Sequence, residues 1–142
     1  VRQQGAGQHA GVLALRQLEG LSVEAVVETL SRQTTLEVKV ARNGETLESN
    51  RVYIGGPNDL ITFDGGELRT RPAEEPIGQR GTIDTMLISL AEQVHDRAVA
   101  VLLAGLGSDG AAGVTATKKF GGLSIAEGVP EQTDAAAQGT FA

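Results

Sequence analysis

The chain has 142 residues, a net charge of −6, 40% hydrophobic and 21% charged residues, and no cysteine. This length predicts one domain over residues 1–142, and the composition is that of a soluble globular protein. The negative charge disfavours nucleic acid or an anionic membrane surface as a partner, because both attract clustered Lys and Arg. The lack of cysteine excludes a disulfide framework, a thiol nucleophile and Cys-ligated zinc.

The chain shows no pattern for membrane insertion or export. Its apolar runs are far shorter than the ~20 residues of a spanning helix, and no charged and then apolar leader opens the sequence. We therefore expect no membrane insertion and a cytoplasmic location.

The first part of the chain predicts two consecutive helices. Residues 1–11 are polar and glycine-rich, which makes a poor strand. Residues 12–18 place apolar side chains at helical spacing, and Ser22 is typical of the N-cap of a second helix. The two helices would follow each other without an intervening strand, which is unusual for an α/β protein.

The rest of the chain alternates strand and helix patterns. Strands are predicted at residues 35–40, 51–54, 60–63, 67–70, 98–103 and 123–126, and helices at residues 83–90 and before Lys118 and Lys119. Asp64-Gly65-Gly66 predicts a hairpin turn, residues 70–80 an exposed loop, and Gly121-Gly122 the end of the last helix. We predict an α/β fold with three αβα layers, a mainly parallel sheet and an antiparallel β-hairpin.

Residues 98–119, AVAVLLAGLGSDGAAGVTATKK, contain the most informative pattern. A continuous apolar run that ends at glycines predicts a strand buried on both faces. The glycine-rich turn contains a single acid, Asp109, and a helical segment follows it. This connection places functional groups at the carboxyl edge of an α/β sheet, so Asp109 is a candidate site residue.

Several motifs in order resemble the catalytic domain of chemotaxis-type protein-glutamate methylesterases, the CheB-like family. Residues 28–57, ETLSRQTTLEVKVARNGETLESNRVYIGGP, are similar to the family's helix, SRQT-type turn and two strands. Residues 83–110, IDTMLISLAEQVHDRAVAVLLAGLGSDG, are similar to its helix, buried strand and G-x-G-x-D-G turn, and a KK-x-GG-strand pattern follows. The resemblance covers residues 28–133, and the chain stops where the family continues through another strand and helix.

The resemblance implies hydrolysis of glutamyl methyl esters on chemoreceptors by a Ser-His-Asp triad, with release of methanol. In such a triad the serine attacks the ester, the histidine takes its proton and the aspartate orients the histidine. Asp109 matches the family's aspartate. The turn around it matches the family's active-site turn through Gly105, Leu106, Gly107 and Gly110. The implied partner is a methylated chemoreceptor or another signalling protein, and no cofactor is implied.

The family's serine and histidine are not found in place. Counting back from the segment LALR, residues 13–16, puts Gln8 at the serine position, and no serine precedes Ser22. The family's histidine belongs to a Gln-His pair at the end of its second strand, and we interpret about a strand's length of sequence as missing between Arg16 and Leu21. Gln8-His9 imitates that pair, but the spacing from His9 to the SRQT-type turn is too long.

The remaining polar candidates favour structural roles. We interpret His9 as a loop histidine, with catalysis as the alternative, and His95 as a surface residue at a charged helix end. Ser108 is predicted to cap the helix after Asp109. Two scattered histidines do not form a metal site, and the glycines lack a following Lys or dinucleotide spacing.

Two functional hypotheses remain from the sequence. The first is a methylesterase-like domain whose catalysis is impaired, or restored by His9 or an unrecognised serine. The second is a non-catalytic docking or regulatory module of a chemotaxis-type signalling system. A fragment, or a chain with deletions, would also account for the departures from the family pattern.

Overall fold

A computed structural model describes residues 11–14, 22–56, 58–75, 81–103 and 108–127. The strands in chain order are β1 (Val12–Ala14), β2 (Glu37–Val40), β3 (Arg51–Ile54), β4 (Asp59–Asp64), β5 (Glu67–Pro72), β6 (Val99–Leu102) and β7 (Leu123–Ala126). The helices are α1 (Val23–Ser31), α2 (Thr82–Val94) and α3 (Ala111–Lys119), and a short 3₁₀ turn, His95–Arg97, follows α2. No helix in these ranges is long and apolar enough to cross a membrane.

The strands form parallel pairs and one antiparallel hairpin. β1, β3 and β2 make a parallel sheet in that order, and β6 pairs with β7 in parallel. β4 and β5 form the hairpin, with Gly65 and Gly66 at φ +61° and +87° in its turn. The predicted α/β fold with mainly parallel strands and an antiparallel hairpin is confirmed. β5 extends to Pro72, two residues into the predicted loop.

The helix predicted over residues 12–18 is wrong for its first three residues, because Val12–Ala14 form β1. Val12 is paired with Val52 and Ala14 with Ile54 of β3. A short unbroken apolar run fits a parallel strand as well as a helix, and pairing with β3 decides between them. β1 therefore supplies a strand before α1, where the sequence predicted two consecutive helices. Residues 15–18 lie outside the described ranges.

Helix α1 begins as predicted at Ser22. The Ala25 amide donates to the Ser22 hydroxyl oxygen at 3.1 Å, which satisfies one of the free amides of the first turn. The helix packs against β2 and β3 through its apolar face. It therefore covers β2 and the adjoining part of β3 on one side of the sheet.

Removing this cap gives a small, testable effect. Ser22→Ala is expected to lower the free energy of unfolding by about 1 kcal/mol, because the Ala25 amide loses its acceptor. Urea unfolding would measure the loss, with Ser31→Ala at the exposed end of the same helix as the control. Equal losses in the two variants would contradict a specific capping role.

Helix α2 lies between two apolar clusters. Toward its end, Leu90 and Val94 pack on a cluster from β3 and the hairpin; its buried members are Ala41, Tyr53, Ile61, Phe63 and Leu68. Toward its beginning it packs with β6 and α3; the buried members there are Met86, Leu87, Ala100 and Val114. α2 therefore fixes the position of the β6–α3 connection relative to the hairpin.

The β6–β7 pair is covered on one face by α2 and α3, while the other face is exposed. Alternation along the two strands puts five aliphatic side chains on that face, each at least half exposed: Val99, Val101, Leu103, Leu123 and Ile125. Parallel sheets are usually covered on both faces. Within the described residues, this face is an apolar surface open to solvent.

Candidate active site

Asp109 lies in the turn between β6 and α3, and its carboxylate contacts the start of α2. The Asp84 amide donates to Oδ1 at 2.8 Å, and the Ile83 amide donates to Oδ2 at 3.1 Å. The Thr82 hydroxyl lies 3.4 Å from Oδ2. These donors belong to the first turn of α2, whose N-cap residue is a glycine, Gly81. Asp109 therefore caps α2 from another part of the chain.

Asp84 makes the reciprocal contact. Its Oδ1 accepts hydrogen bonds from the Gly110 amide at 2.9 Å and the Gly113 amide at 2.7 Å. Both amides belong to the start of α3, whose N-cap is also a glycine, Gly110. Thus α3 receives its capping carboxylate from α2, and α2 receives one from the turn that leads into α3, so that two negative charges face two helix N-termini. We call Asp84 and Asp109 the carboxylate pair.

Two glycines allow this close arrangement. Gly110 has φ +111°, a conformation that L residues rarely adopt, and a Cβ there would lie 2.8 Å from Leu102 Cδ1. At Gly113 a Cβ would lie 2.6 Å from Leu87 Cβ, so α2 and α3 approach at van der Waals distance. The glycines of this segment therefore serve helix packing as well as the turn.

The structure describes only part of the predicted site. It brings Asp109 and Gly110 together at the start of α3. The predicted positions Gly105, Leu106, Gly107, Gln8 and His9 lie outside the described residues, so their roles stay predictions. The count that led to Gln8 began from a helix at residues 13–16, and two of those residues, Leu13 and Ala14, belong to β1.

The structure tests two further predictions for polar residues, those for His95 and Ser108. His95 is exposed, as predicted, and its ring stacks on Phe120 with centroids 5.5 Å apart. It follows the last residue of α2, whereas Asp109 contacts the first turn of this 13-residue helix. At 1.5 Å per residue the two lie roughly 20 Å apart, so His95 is not the partner of Asp109. Ser108 was expected to cap α3, but the side chain that caps it is Asp84.

Asp84 is the site residue that the sequence prediction missed. An acid in the first turn of a helix is a recognised signal for capping, and Asp84 is the third residue of α2. The sequence gives no sign that its target is a different helix. Among the described residues, no group of three or more His, Cys, Asp or Glu side chains is placed to hold a metal ion.

The fold and the carboxylate pair define an α/β domain with a candidate functional aspartate in the connection between a parallel strand and a helix. A protein-family model described as "CheB methylesterase" matches residues 6–137. The chain therefore belongs to the CheB methylesterase family, and the resemblance found in its motifs is confirmed.

Curated relatives support the same assignment. A protein-glutamate methylesterase/protein-glutamine glutaminase 3 of Geobacter sulfurreducens is 36% identical over 104 residues, which cover 70% of this chain and 28% of the relative. A protein of the same name from Myxococcus xanthus is 36% identical over 73% of this chain and 29% of its own length. A protein-glutamate methylesterase/protein-glutamine glutaminase of Geobacillus kaustophilus is 33% identical over 83% of this chain and 35% of its own length. The chain thus spans about a third of these relatives.

A solved structure confirms the fold. The crystal structure of the Thermotoga maritima CheB methylesterase catalytic domain superposes with a TM-score of 0.77 at 22% sequence identity. The superposition covers 94% of this chain and 76% of that domain. The similarity therefore extends over nearly the whole chain.

Proposed function

We propose that this chain carries the aspartate of a protein-glutamate methylesterase site and does not hydrolyse esters by itself. The relatives' names describe hydrolysis at glutamate and glutamine side chains of proteins. The chemistry needs a nucleophile, a base and a group that orients the base. Asp109 matches the orienting group, and the substrate class would be a methylated chemoreceptor. A cytoplasmic location of this chain would fit a substrate of that class.

The observation that carries the proposal is the position of β1. The family's histidine belongs to a Gln-His pair at the end of a strand, and β1 is the strand that precedes α1 and pairs with β3. The residues after β1 are Leu15, Arg16 and Gln17, so Arg16-Gln17 takes the place of that pair. A glutamine amide does not accept a proton near neutral pH and cannot act as the general base.

The other two candidates for the triad, His9 and a serine, do not fit this alignment of β1 with the family's strand. His9 precedes β1 by three residues in the sequence, whereas the family pattern puts the histidine after the strand. No serine occurs among residues 1–21, so this stretch of the chain offers no nucleophile. Both arguments support loss of catalysis in the chain as it stands.

The direct test is methanol release from a methylated chemoreceptor. We expect no release above the buffer rate from the folded chain, and no change with Asp109→Ala. The Thermotoga maritima catalytic domain is the positive control, and circular dichroism verifies folding. Turnover that disappears with His9→Ala, or a serine labelled by a fluorophosphonate probe, would contradict the proposal.

A docking or regulatory module is the second candidate function. The exposed aliphatic face of β6 and β7 favours it, because a contiguous apolar surface is typical of protein interaction sites. Calorimetric titration with the cytoplasmic part of a methylated chemoreceptor would distinguish a docking module from a methylesterase. Binding that is lost in Val101→Lys and is not accompanied by methanol release would support docking.

A further inference from the structure

We propose that Asp109 serves in this chain as the cap of α2 and that Asp84 is the residue that positions it. The hydrogen bonds of this role come from two backbone amides and a hydroxyl of α2. The inference goes beyond the proposed function, because it concerns what the aspartate does whether or not the chain hydrolyses esters.

The first step of the argument is that neither helix can cap its own N-terminus through the residue at the N-cap. Both N-cap residues are glycines, Gly81 at φ +55° and Gly110 at φ +111°, and neither has a side-chain acceptor. The first four amides of a helix lack partners within the helix, and an oxygen from elsewhere has to accept their hydrogen bonds. At both helices a carboxylate of the pair supplies it.

The second step is the coupling between the two carboxylates. The Asp84 amide donates to Asp109, while the Asp84 carboxylate accepts from Gly110, the residue next to Asp109. The Asp84 carboxylate thus contacts the backbone directly after Asp109, and the Asp84 amide contacts the Asp109 carboxylate. Loss of its side chain would release the turn that sets the direction of the Asp109 carboxylate.

The third step is an asymmetry that separates the two residues. Asp84 uses one oxygen, Oδ1, for both of the hydrogen bonds that it accepts from α3. The carbonyl oxygen of an asparagine can accept the same two bonds. Asp109 instead accepts a backbone amide on each oxygen, from Asp84 on Oδ1 and from Ile83 on Oδ2. An asparagine there would direct its NH₂ group at one of two N–H donors, and that amide would lose its bond.

The test is amide hydrogen exchange measured by NMR on the full chain. Asp109→Asn is expected to accelerate exchange about tenfold at either Ile83 or Asp84, at the amide that then faces the NH₂ group, as for a lost helix cap. Asp84→Asn is expected to leave exchange at Gly110 and Gly113 close to that of the unmodified chain, whereas Asp84→Ala accelerates it. Glu92→Gln, on the exposed side of α2, is the matched control for the loss of one negative charge.

A second readout reports positioning. The ¹³C shift of the Asp109 carboxyl is expected to change in Asp84→Ala and to return toward its original value in Asp84→Asn. The proposal is overturned if Asp84→Asn is as damaging as Asp84→Ala, or if a folded Asp109→Asn exchanges like the unmodified chain. Should Asp109→Asn fail to fold, the comparison of the two Asp84 variants decides. Ester hydrolysis enters neither readout, so failure here is distinct from failure of the proposed function.

Discussion

Gly113→Val is expected to lower the free energy of unfolding by about 3 kcal/mol, toward the upper end of the cost of overpacking a core. A Cβ at this position would lie 2.6 Å from Leu87 Cβ and 2.8 Å from its Cδ1. Leu87 belongs to α2, and its side chain is buried against β6 and α3, so it has little room to move. The helices must separate, and the Gly113 amide then moves away from Asp84, to which it donates at 2.7 Å.

The sign of this prediction makes it informative. Glycine is among the poorest helix formers, so propensity alone would make valine at Gly113 stabilising. Ala112→Val is the matched control: it adds a β-branched side chain at the preceding position of α3, which is exposed. Urea unfolding measures both variants. Leu87→Ala combined with Gly113→Val should cost less than the sum of the two single losses, because two of the three contacted atoms, Leu87 Cγ and Cδ1, are removed while Cβ stays. A Gly113→Val variant as stable as Ala112→Val would contradict the close approach of the helices.

The strands and helices that were predicted well have unambiguous patterns. β2 alternates polar and apolar residues, and the hairpin strands flank a glycine turn that only a few residue types accept. α2 repeats its apolar residues at helical spacing over 13 residues. In these segments the local preference and the tertiary environment agree, so the sequence is sufficient.

β1 could not be predicted in the same way. Three apolar residues carry too little periodicity to distinguish a strand from a helix, and the deciding contact is the pairing of Val12 with Val52, 40 positions along the chain. Part of the candidate site could not be predicted for the same reason. Asp109 was identified from its turn, but the role of Asp84 depends on the packing of α2 against α3. Long-range partners explain both failures.

Tyr53 joins the parallel sheet to the hairpin. It lies in β3, the central strand of the sheet, and its side chain is fully buried in the cluster that includes Phe63 of β4. Its hydroxyl accepts a hydrogen bond from the Glu48 amide at 2.9 Å and donates one to the Thr46 carbonyl at 3.1 Å. Thr46 in turn forms a bridge with Glu67 of β5. One side chain thus connects β3, the preceding loop and the hairpin.

Tyr53→Ala is therefore expected to lower the free energy of unfolding by about 3–5 kcal/mol, the cost of removing a buried aromatic ring. Tyr53→Phe keeps the ring and removes only the hydroxyl, and it should cost about 1 kcal/mol. Chemical denaturation measures both losses, and amide exchange at Glu48 should rise in both variants because its acceptor is gone. If phenylalanine cost as much as alanine, the hydroxyl rather than the ring would dominate the stability of this junction. Unchanged exchange at Glu48 in Tyr53→Phe would show that the loop is held independently of β3.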